Sequence, residues 1–269
     1  FIIYGMITGE SIGDLFLSGI IPGLIFGFML CIMVFIKSKK NGWKGETQRA
    51  SLKEIGRLFL DTIWGLLSPV IVLGGIYSGL FTPTEAAAVA VVYSLIVGIF
   101  IYKELRLAEL KETLFSTAKT TGMILLIIMN AGIFSWVLTQ QGIAASLTEM
   151  ALALTDNKYI MLVIINIVFL CAGCVMDNTS ALYILVPIIM PIAKALDINM
   201  IQLGVILVLN LSIGQVTPPV GPNLYVAADI GKVKFEEICR KMVPLLLMSL
   251  LALLCITYIP ALSLCLIPS

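Results

Sequence analysis

Four polar residues that could bind a ligand interrupt one of the most apolar stretches of the chain. Within FLCAGCVMDNTSALYILVP (169–187), Asp177 is followed by Asn178, Thr179 and Ser180. A charged side chain at the centre of a bilayer costs roughly 2.5–3.5 kcal/mol on insertion scales, and such residues usually line an ion or substrate pathway. The pattern therefore predicts a ligand-binding tip, and the alternative is a polar loop solvated at the membrane surface.

A second candidate site lies in GQVTPPVG (214–221). Pro218 and Pro219 remove backbone donors and crowd the preceding turn, so a helix through this stretch must break. Irregular backbone in a membrane survives only where protein or water satisfies it; freed carbonyls and helix C-termini bind Na⁺, and helix N-termini favour anions. The stretch predicts carbonyl ligands and the Thr217 hydroxyl for a cation, and the alternative is a simple proline kink.

The composition determines which elements can position these residues. Hydrophobic residues make up 59% of the chain and charged residues 12%, whereas a soluble domain is about half apolar and a quarter charged. We therefore predict an all-α integral membrane protein. A net charge of +1 gives no argument for nucleic-acid binding, and the absence of histidine removes the commonest metal ligand and general base.

Basic residues predict the orientation of the spans. The segment 37–57 is rich in lysine and arginine and is predicted to be a cytoplasmic loop, because such loops stay on the inner side of the membrane. Apolar runs near 60–79 and 84–102 then cross outward and back. The basic tract at 232–241 returns to the inside only if residues 158–231 make an odd number of crossings.

That middle region is predicted to contain a hairpin over 158–196 and a discontinuous helix over 199–229. The first arm, from Lys158 to a break at Gly173, has only about 14 residues, or roughly 21 Å of helix. This length predicts a re-entrant hairpin, although two marginal spans joined by a tight turn give the same orientation. A broken helix that faces a polar hairpin tip is a candidate binding site.

The beginning and the end of the chain resemble each other. Tyr4 precedes an amphipathic stretch and then Pro22 in an apolar run, and Tyr225 and Pro244 stand in the same order near the end. Similar units that enter the membrane from opposite faces predict an inverted repeat. The chain is therefore expected to begin inside a larger protein, with its first repeat cut before Phe1.

Three divisions follow from these features. Residues 1–115 are predicted to hold scaffold-type helices and the end of the first repeat. Residues 116–231 are predicted to form a transport domain, and 232–269 an amphipathic segment with the last transmembrane helix. Within the first division, Thr84 is expected to cap a helix that begins at Glu85.

With these residues in view, the chain resembles the large membrane subunit of tripartite ATP-independent periplasmic (TRAP) transporters. Four segments spread over the chain carry the resemblance: GGIYSGLFTPTEAAAVAVVYSLIVG, GCVMDNTSALYILVPIIMPIA, NLSIGQVTPPVGPNLYVA and ITYIPALSL. It implies an elevator-type, multi-pass transporter of the bacterial inner membrane. It also implies Na⁺-coupled import of an organic acid anion, together with a small four-helix membrane subunit and a periplasmic substrate-binding protein.

The resemblance also implies roles for the residues of the two candidate sites. The implied Na⁺ ligands are Gly173, Gly214, Thr217 and Val220. The implied substrate-binding residues are Asp177, Asn178, Thr179, Ser180, Pro218, Pro219 and Gly221. Asp177 is expected to accept hydrogen bonds from substrate hydroxyl or amide groups, which favours a sialic acid over a plain C4-dicarboxylate.

Two other functions stay open at the level of sequence. The first is a Na⁺/organic anion symporter that works without a binding protein, because it would share the hairpin and the broken helix. The second is an intramembrane aspartyl protease, which needs two carboxylates that share a proton. The other candidate acids, Asp61 and Glu85, lie at segment ends and make this alternative remote.

Overall fold

The computed structural model describes residues 1–43 and 51–267. These residues form helices and connecting turns, with no strand among them. In chain order the helices are α1 (Ile2–Thr8), α2 (Ile12–Asn41), α3 (Leu52–Tyr77), α4 (Pro83–Ile96), α5 (Leu107–Gln140), α6 (Ile143–Leu154), α7 (Lys158–Val175), α8 (Asn178–Ala195), α9 (Met200–Gly214), α10 (Pro222–Gly231), α11 (Phe235–Tyr258) and α12 (Ala261–Leu264).

Seven helical segments within the described ranges are long and apolar enough to cross a membrane. They comprise α2, α3, α4 with the π-helical turn that follows it (Val97–Ile101), most of α5, α7, α8 and α11. A bilayer core of about 30 Å requires roughly 20 residues of helix, so these lengths fit the membrane location that the composition predicts. The prediction of an all-α membrane protein is confirmed.

The chain divides into two compact units. One unit combines Phe1–Gly42 with Leu125–Ser269, and the other is Trp43–Ile124. Helix α5 contributes its beginning to the second unit and its end to the first. The predicted divisions at 115 and 231 separate a scaffold, a transport domain and a last helix by function, whereas these two units are separated by compactness. The predicted divisions therefore stay predictions.

In the smaller unit, α3 packs against α4. Two tyrosine hydroxyls pin the pair: Tyr93 donates to the carbonyl of Trp64 at 2.6 Å, and Tyr102 donates to the carbonyl of Asp61 at 3.1 Å. Both carbonyls belong to α3, so the two hydroxyls fix the alignment of α4 and the turn after it along α3. This contact positions α4 and the π-helical turn after it.

The start of α4 differs from the sequence prediction. Thr82, not Thr84, is the N-cap: its Oγ1 accepts a hydrogen bond from Glu85 N at 3.3 Å, and Glu85 Oε2 accepts one from Thr82 N at 2.8 Å. Pro83 occupies the first helical position, where its missing amide proton costs nothing. The prediction placed the start too late because it treated this proline as part of the preceding turn.

Helix extends further into the predicted basic loop than the sequence suggested. Helix α2 continues to Asn41 and ends at Gly42, whose φ of 66° is left-handed, and α3 begins at Leu52 after a Ser51 cap. Most of the basic side chains at either end of the segment 37–57 are therefore helical. Lys44 and Arg49 lie outside the described residues.

Helix α9 is the centre of the larger unit. Five of its apolar side chains are completely buried: Leu203, Ile206, Leu207, Leu211 and Ile213. Helices α7, α8, α11 and α2 pack around it, and Tyr4 of α1 donates from its hydroxyl to the carbonyl of Met200 at 2.6 Å. A helix that is apolar on all sides must be surrounded by other elements, and among the described helices α9 has the largest share of buried residues.

The first arm of the hairpin is longer than the sequence predicted, whereas the second arm, from Asn178 to Ala195, has the predicted length. Helices α7 and α8 have 18 residues each, or about 27 Å at the usual rise per residue. Helix α7 does not break at Gly173; it continues to Val175, and the tip of the hairpin is Met176 and Asp177. Arms of this length fit both a deep re-entrant hairpin and two short spans.

The two segments that resemble each other in sequence have the same order of elements. Each has a short helix, a residue with positive φ (Gly9 or Lys232) and a long helix that contains a proline. The long helices α2 and α11 pack together, and Lys37 near the end of α2 donates to the carbonyl of Lys241 near the start of α11 at 2.9 Å. The two long helices are therefore antiparallel, as units of opposite orientation require.

Candidate functional site

The last turn of α7, beside the hairpin tip, contacts the end of α9 through two glycines. A Cβ added to Gly214 would lie 2.6 Å from the Cα of Gly173, and one added to Gly173 would lie 3.1 Å from the Cα of Gly214. The first distance is shorter than a carbon–carbon contact allows and the second is tighter than most such contacts, so the two backbones meet where a side chain at Gly214 does not fit. This contact brings the C-terminal turns of α7 and α9 together.

Two hydrogen bonds also join the hairpin to the turn after α9 at this junction. Gly221 N donates to the carbonyl of Cys174 at 3.3 Å, and Gln215 Nε2 donates to Asn178 Oδ1 at 2.8 Å. Gly221 has a φ of 48°, and a Cβ there would lie 2.9 Å from the carbonyl oxygen of Thr217. The turn from 215 to 221 thus requires glycine at its end and closes onto the hairpin tip.

Four helix ends converge at this junction. Helix α7 ends at Val175 and α9 at Gly214, while α8 begins at Asn178 and α10 at Pro222. Helix C-termini carry partial negative charge and free carbonyls, and helix N-termini carry partial positive charge and free amides. The junction can therefore hold a cation beside α7 and α9, and an anion beside α8 and α10.

The oxygens on the cation side are neutral. Thr217 Oγ1 donates its proton to the carbonyl of Ile213 at 2.7 Å, which leaves its lone pairs available to a ligand. Gly173 is in the last turn of α7, and helix geometry provides no amide for the carbonyls of that turn. The described residues contain no group of three acidic, cysteine or histidine side chains that could hold a metal.

On the anion side, Asp177 has a local structural role that the sequence analysis did not assign. Its carboxylate caps α8: Oδ2 accepts from Ser180 N at 3.1 Å and Oδ1 accepts from Ser180 Oγ at 2.6 Å. Asp177 is nevertheless exposed, so its carboxylate oxygens stay accessible to further donors. Its contact with substrate stays a prediction.

The structure places the other predicted substrate residues around the same junction. Asn178 and Thr179 begin α8 and are half-buried, and Gly221 caps α10. Pro218 and Pro219 form the turn between α9 and α10, joined by a cis peptide bond. Val220, the fourth predicted Na⁺ residue, follows them in the same turn, so both predicted sets meet at one place.

Two functional candidates were missed by the sequence analysis. Gln215 Oε1 accepts from Asn223 Nδ2 at 3.0 Å, and its carbonyl accepts from Asn223 N at 3.2 Å. With the bond from Gln215 to Asn178, the three amide side chains form a chain across the break from α8 to α10. An amide residue at each side of the proline turn was the available signal.

Together, the fold and the junction define a multi-pass α-helical membrane protein in which a hairpin and a broken helix meet at their ends. Residues 1–262 match the family described as tripartite ATP-independent periplasmic transporter, DctM component, and the chain belongs to this family. The predicted family is thus confirmed. Proteins of this family are transporter components of the bacterial inner membrane, not enzymes, which argues against the protease alternative.

Characterised relatives cover almost the whole chain. It is 42% identical to the C4-dicarboxylate TRAP transporter large permease protein DctM of Pseudomonas aeruginosa over 98% of this chain and 62% of the relative. It is 40% identical to the isethionate TRAP transporter permease protein DctMQ of Oleidesulfovibrio alaskensis over 97% of this chain and 41% of the relative. It is 37% identical to the sialic acid TRAP transporter large permease protein SiaM of Vibrio cholerae over 98% of this chain and 61% of the relative. The chain thus spans between two fifths and two thirds of the length of these relatives.

Proposed function

We propose that the chain takes part in Na⁺-coupled import of an organic acid anion across the inner membrane. One observation carries the proposal: two helix C-termini and two helix N-termini meet at the Gly173–Gly214 contact. Such a junction provides opposite partial charges side by side, as coupled binding of a cation and an anion requires. The partners in this proposal are a small four-helix membrane subunit and a periplasmic binding protein.

In this proposal, substrate binding is coupled to Na⁺ because Na⁺ binds first, at the negative ends of α7 and α9. Na⁺ is bound by the carbonyls of Gly173, Gly214 and Val220 and by the Thr217 hydroxyl. Its charge offsets the negative ends of α7 and α9 and holds the hairpin tip against the break. The N-termini of α8 and α10 then stay close enough to bind one acid group of the substrate, so the affinity for the anion depends on Na⁺.

The substrate class follows from the same helix ends and from the relatives. Their names include a C4-dicarboxylate, isethionate and sialic acid, all of which carry an acid group that suits a helix N-terminus. The exposed Asp177 carboxylate repels a second acid group but accepts hydrogen bonds from hydroxyls. We therefore favour a hydroxylated acid such as a sialic acid. The elevator-type movement, in which hairpin and broken helix carry the site as one body, belongs to this proposal.

The test is uptake by proteoliposomes that contain the full complex, with radiolabelled N-acetylneuraminate or succinate and an inward gradient of Na⁺ or of K⁺. Thr217→Val removes the hydroxyl at constant shape, and Thr217→Ser retains it. Ser212→Ala is the control, because Ser212 is exposed on α9, just before the turn that contains Thr217, and among the described residues it donates only to the carbonyl of Val208, at 2.8 Å. We expect substrate uptake in the Na⁺ gradient and none in the K⁺ gradient. Thr217→Val should need a higher Na⁺ concentration for half-maximal uptake, whereas Thr217→Ser and Ser212→Ala should not.

Two outcomes would change the proposal. Equal uptake in Na⁺ and K⁺ gradients would refute the coupling to Na⁺. Undiminished uptake after omission of the periplasmic binding protein and the small subunit would instead support the alternative symporter, which works without a binding protein. Each of these measurements can be made on the wild-type complex, before any variant is compared.

A further inference from the structure

A chain of buried polar side chains crosses the apolar core below the proposed site. Asn210 of α9 donates from Nδ2 to Asn166 Oδ1 of α7 at 2.6 Å, and Asn166 donates from Nδ2 to Thr257 Oγ1 of α11 at 3.1 Å. Gln202 of α9 completes the set by donating to the carbonyl of Thr257 at 3.0 Å. The four residues are between 0 and 7% exposed, and they are here called the amide ladder.

The amide ladder lies on the same helix contact as the glycine pair. Asn210 precedes Gly214 by about one helical turn, and Asn166 precedes Gly173 by about two. The Asn210–Asn166 bond and the Gly214–Gly173 contact thus join the same two helices, α9 and α7, at successive levels. Any shift of α9 along α7 that breaks the amide pair also displaces the glycine pair.

Apart from the glycine pair, the rest of this contact consists of apolar side chains. Completely buried neighbours such as Ile206, Leu207 and Leu211 make no directional bonds across it. A single buried polar pair in an apolar contact selects one register of the two helices, because every other register leaves amide groups unpaired. The amide ladder therefore specifies, together with the glycine pair, how α7 and α9 are aligned.

We infer that Asn210 and Asn166 are positioning residues of the proposed Na⁺ site. They hold α7 and α9 in the register that places the carbonyls of Gly173 and Gly214 side by side at the helix ends. The inference rests on the proposed function, because it assigns the ladder a role in Na⁺ affinity. Neither asparagine touches the ion; each acts through the glycine at the end of its own helix.

The ladder does not have the form of a network built for stability alone. Asn210 Oδ1 is completely buried and has no hydrogen-bond partner among the described residues. A fully satisfied network would stabilise the core, whereas a buried pair with an unsatisfied acceptor can be exchanged for apolar residues at little or no cost. Stability and Na⁺ affinity can therefore be separated by substitution.

The experiment uses the full complex and compares Asn210→Leu with the double variant Asn166→Leu/Asn210→Leu. Ser249→Ala is the control, because Ser249 is a buried hydroxyl on α11 that, within the described part of the chain, donates only to the carbonyl of Leu245, at 3.0 Å. Three quantities are measured: the Na⁺ concentration for half-maximal uptake, the substrate KM at saturating Na⁺, and the thermal unfolding midpoint. The first two separate a positioning role from a general loss of structure.

The expected results differ between the variants. Asn210→Leu leaves Asn166 Oδ1 unpaired, so the unfolding midpoint falls and the half-maximal Na⁺ concentration rises about tenfold or more, with KM changed less than about twofold. The double variant recovers most of the unfolding midpoint but keeps the raised Na⁺ requirement, because no polar pair fixes the register. Ser249→Ala changes neither Na⁺ requirement nor KM.

The inference is overturned if the double variant regains the wild-type Na⁺ requirement together with the wild-type unfolding midpoint, because the ladder would then be structural only. An unchanged Na⁺ requirement in Asn210→Leu would overturn it as well. In both cases the wild-type complex still depends on Na⁺. If the wild-type complex itself imports substrate without Na⁺, the proposed function fails first and the inference fails with it.

Discussion

Gln215 Nε2 donates a hydrogen bond to Asn178 Oδ1 over 2.8 Å and so joins the break after α9 to the first residue of α8. The other end of the Gln215 amide accepts from Asn223 of α10 at 3.0 Å. Both N-terminal helix ends of the proposed anion site are thus held by one side chain. Their separation therefore depends on Gln215, together with the backbone bond from Gly221 to Cys174.

Replacement of Gln215 by methionine, which has similar length and no hydrogen-bonding amide, tests this dependence. The variant loses two hydrogen bonds, each with a net contribution of about 0.5–1.5 kcal/mol. We expect the substrate KM to rise between about fivefold and a hundredfold, with a smaller change in the Na⁺ requirement. The measurement is initial uptake rate against substrate concentration at saturating Na⁺.

Gln141→Met serves as the control for this change of side chain, because Gln141 is exposed just after the end of α5. Its substrate KM should equal that of the wild type. A wild-type KM in Gln215→Met would show that the amide chain does not set the separation of the α8 and α10 N-termini.

The glycine pair gives a second prediction, on stability as well as transport. Gly214→Ala places a methyl group 2.6 Å from the Cα of Gly173 and 2.9 Å from the carbonyl of Leu170, and backbone atoms cannot move aside cheaply. Overpacking of this kind costs about 1–3 kcal/mol. We expect a lower unfolding midpoint in detergent and a loss of most Na⁺-dependent uptake.

Gly132→Ala is the matched control, because a Cβ at Gly132 in α5 meets no atom within 4 Å. Alanine in a helix is favoured over glycine by up to about 1 kcal/mol, so this variant should be as stable as the wild type or more so. If Gly214→Ala unfolded and transported like Gly132→Ala, the close approach of α7 and α9 would not matter for the site.

These two contacts show which parts of the site sequence reasoning could reach. The proline turn and the polar tip were predictable, because proline in a helix and a carboxylate in an apolar run each have local consequences. The role of Gly173 was not, since the sequence cannot distinguish a glycine that ends a helix from one that lets two helices approach. Only the distant Gly214 decides between them, and Gln215 likewise acquires its role from Asn178 on another helix.

The start of α4 yields a third prediction. The sequence analysis assigned the helix cap to Thr84, whereas the structure assigns it to Thr82. Thr82→Ala removes the capping hydroxyl that accepts from Glu85 N, and the loss of a threonine cap costs about 0.5–2 kcal/mol. Thr84→Ala, in the first turn of the same helix, should change stability by less than about 0.5 kcal/mol. Amide hydrogen exchange in the first turn of α4 measures the difference, and faster exchange in Thr84→Ala than in Thr82→Ala would contradict the assignment.

Asp177 poses the sharpest question, because it has two candidate roles that different substitutions separate. As the cap of α8 it needs only an oxygen that accepts from Ser180 N, which Asp177→Asn retains and Asp177→Ala removes. As an acceptor for substrate hydroxyls it benefits from its negative charge, which both variants lose. Charge-assisted hydrogen bonds contribute about 1.5–3 kcal/mol, against about 0.5–1.5 kcal/mol for neutral ones.

We therefore expect Asp177→Asn to unfold like the wild type and to raise the KM for a hydroxylated acid by about tenfold. Asp177→Ala should raise KM at least as much and also lower stability by about 0.5–2 kcal/mol. Asp197→Asn is the control: Asp197 is an exposed acid after the far end of α8 with a φ of 51°, a conformation that asparagine tolerates. A wild-type KM in Asp177→Asn together with a destabilised Asp177→Ala would mean that the carboxylate only caps the helix, and that selection of the substrate rests on the helix ends and on Gln215.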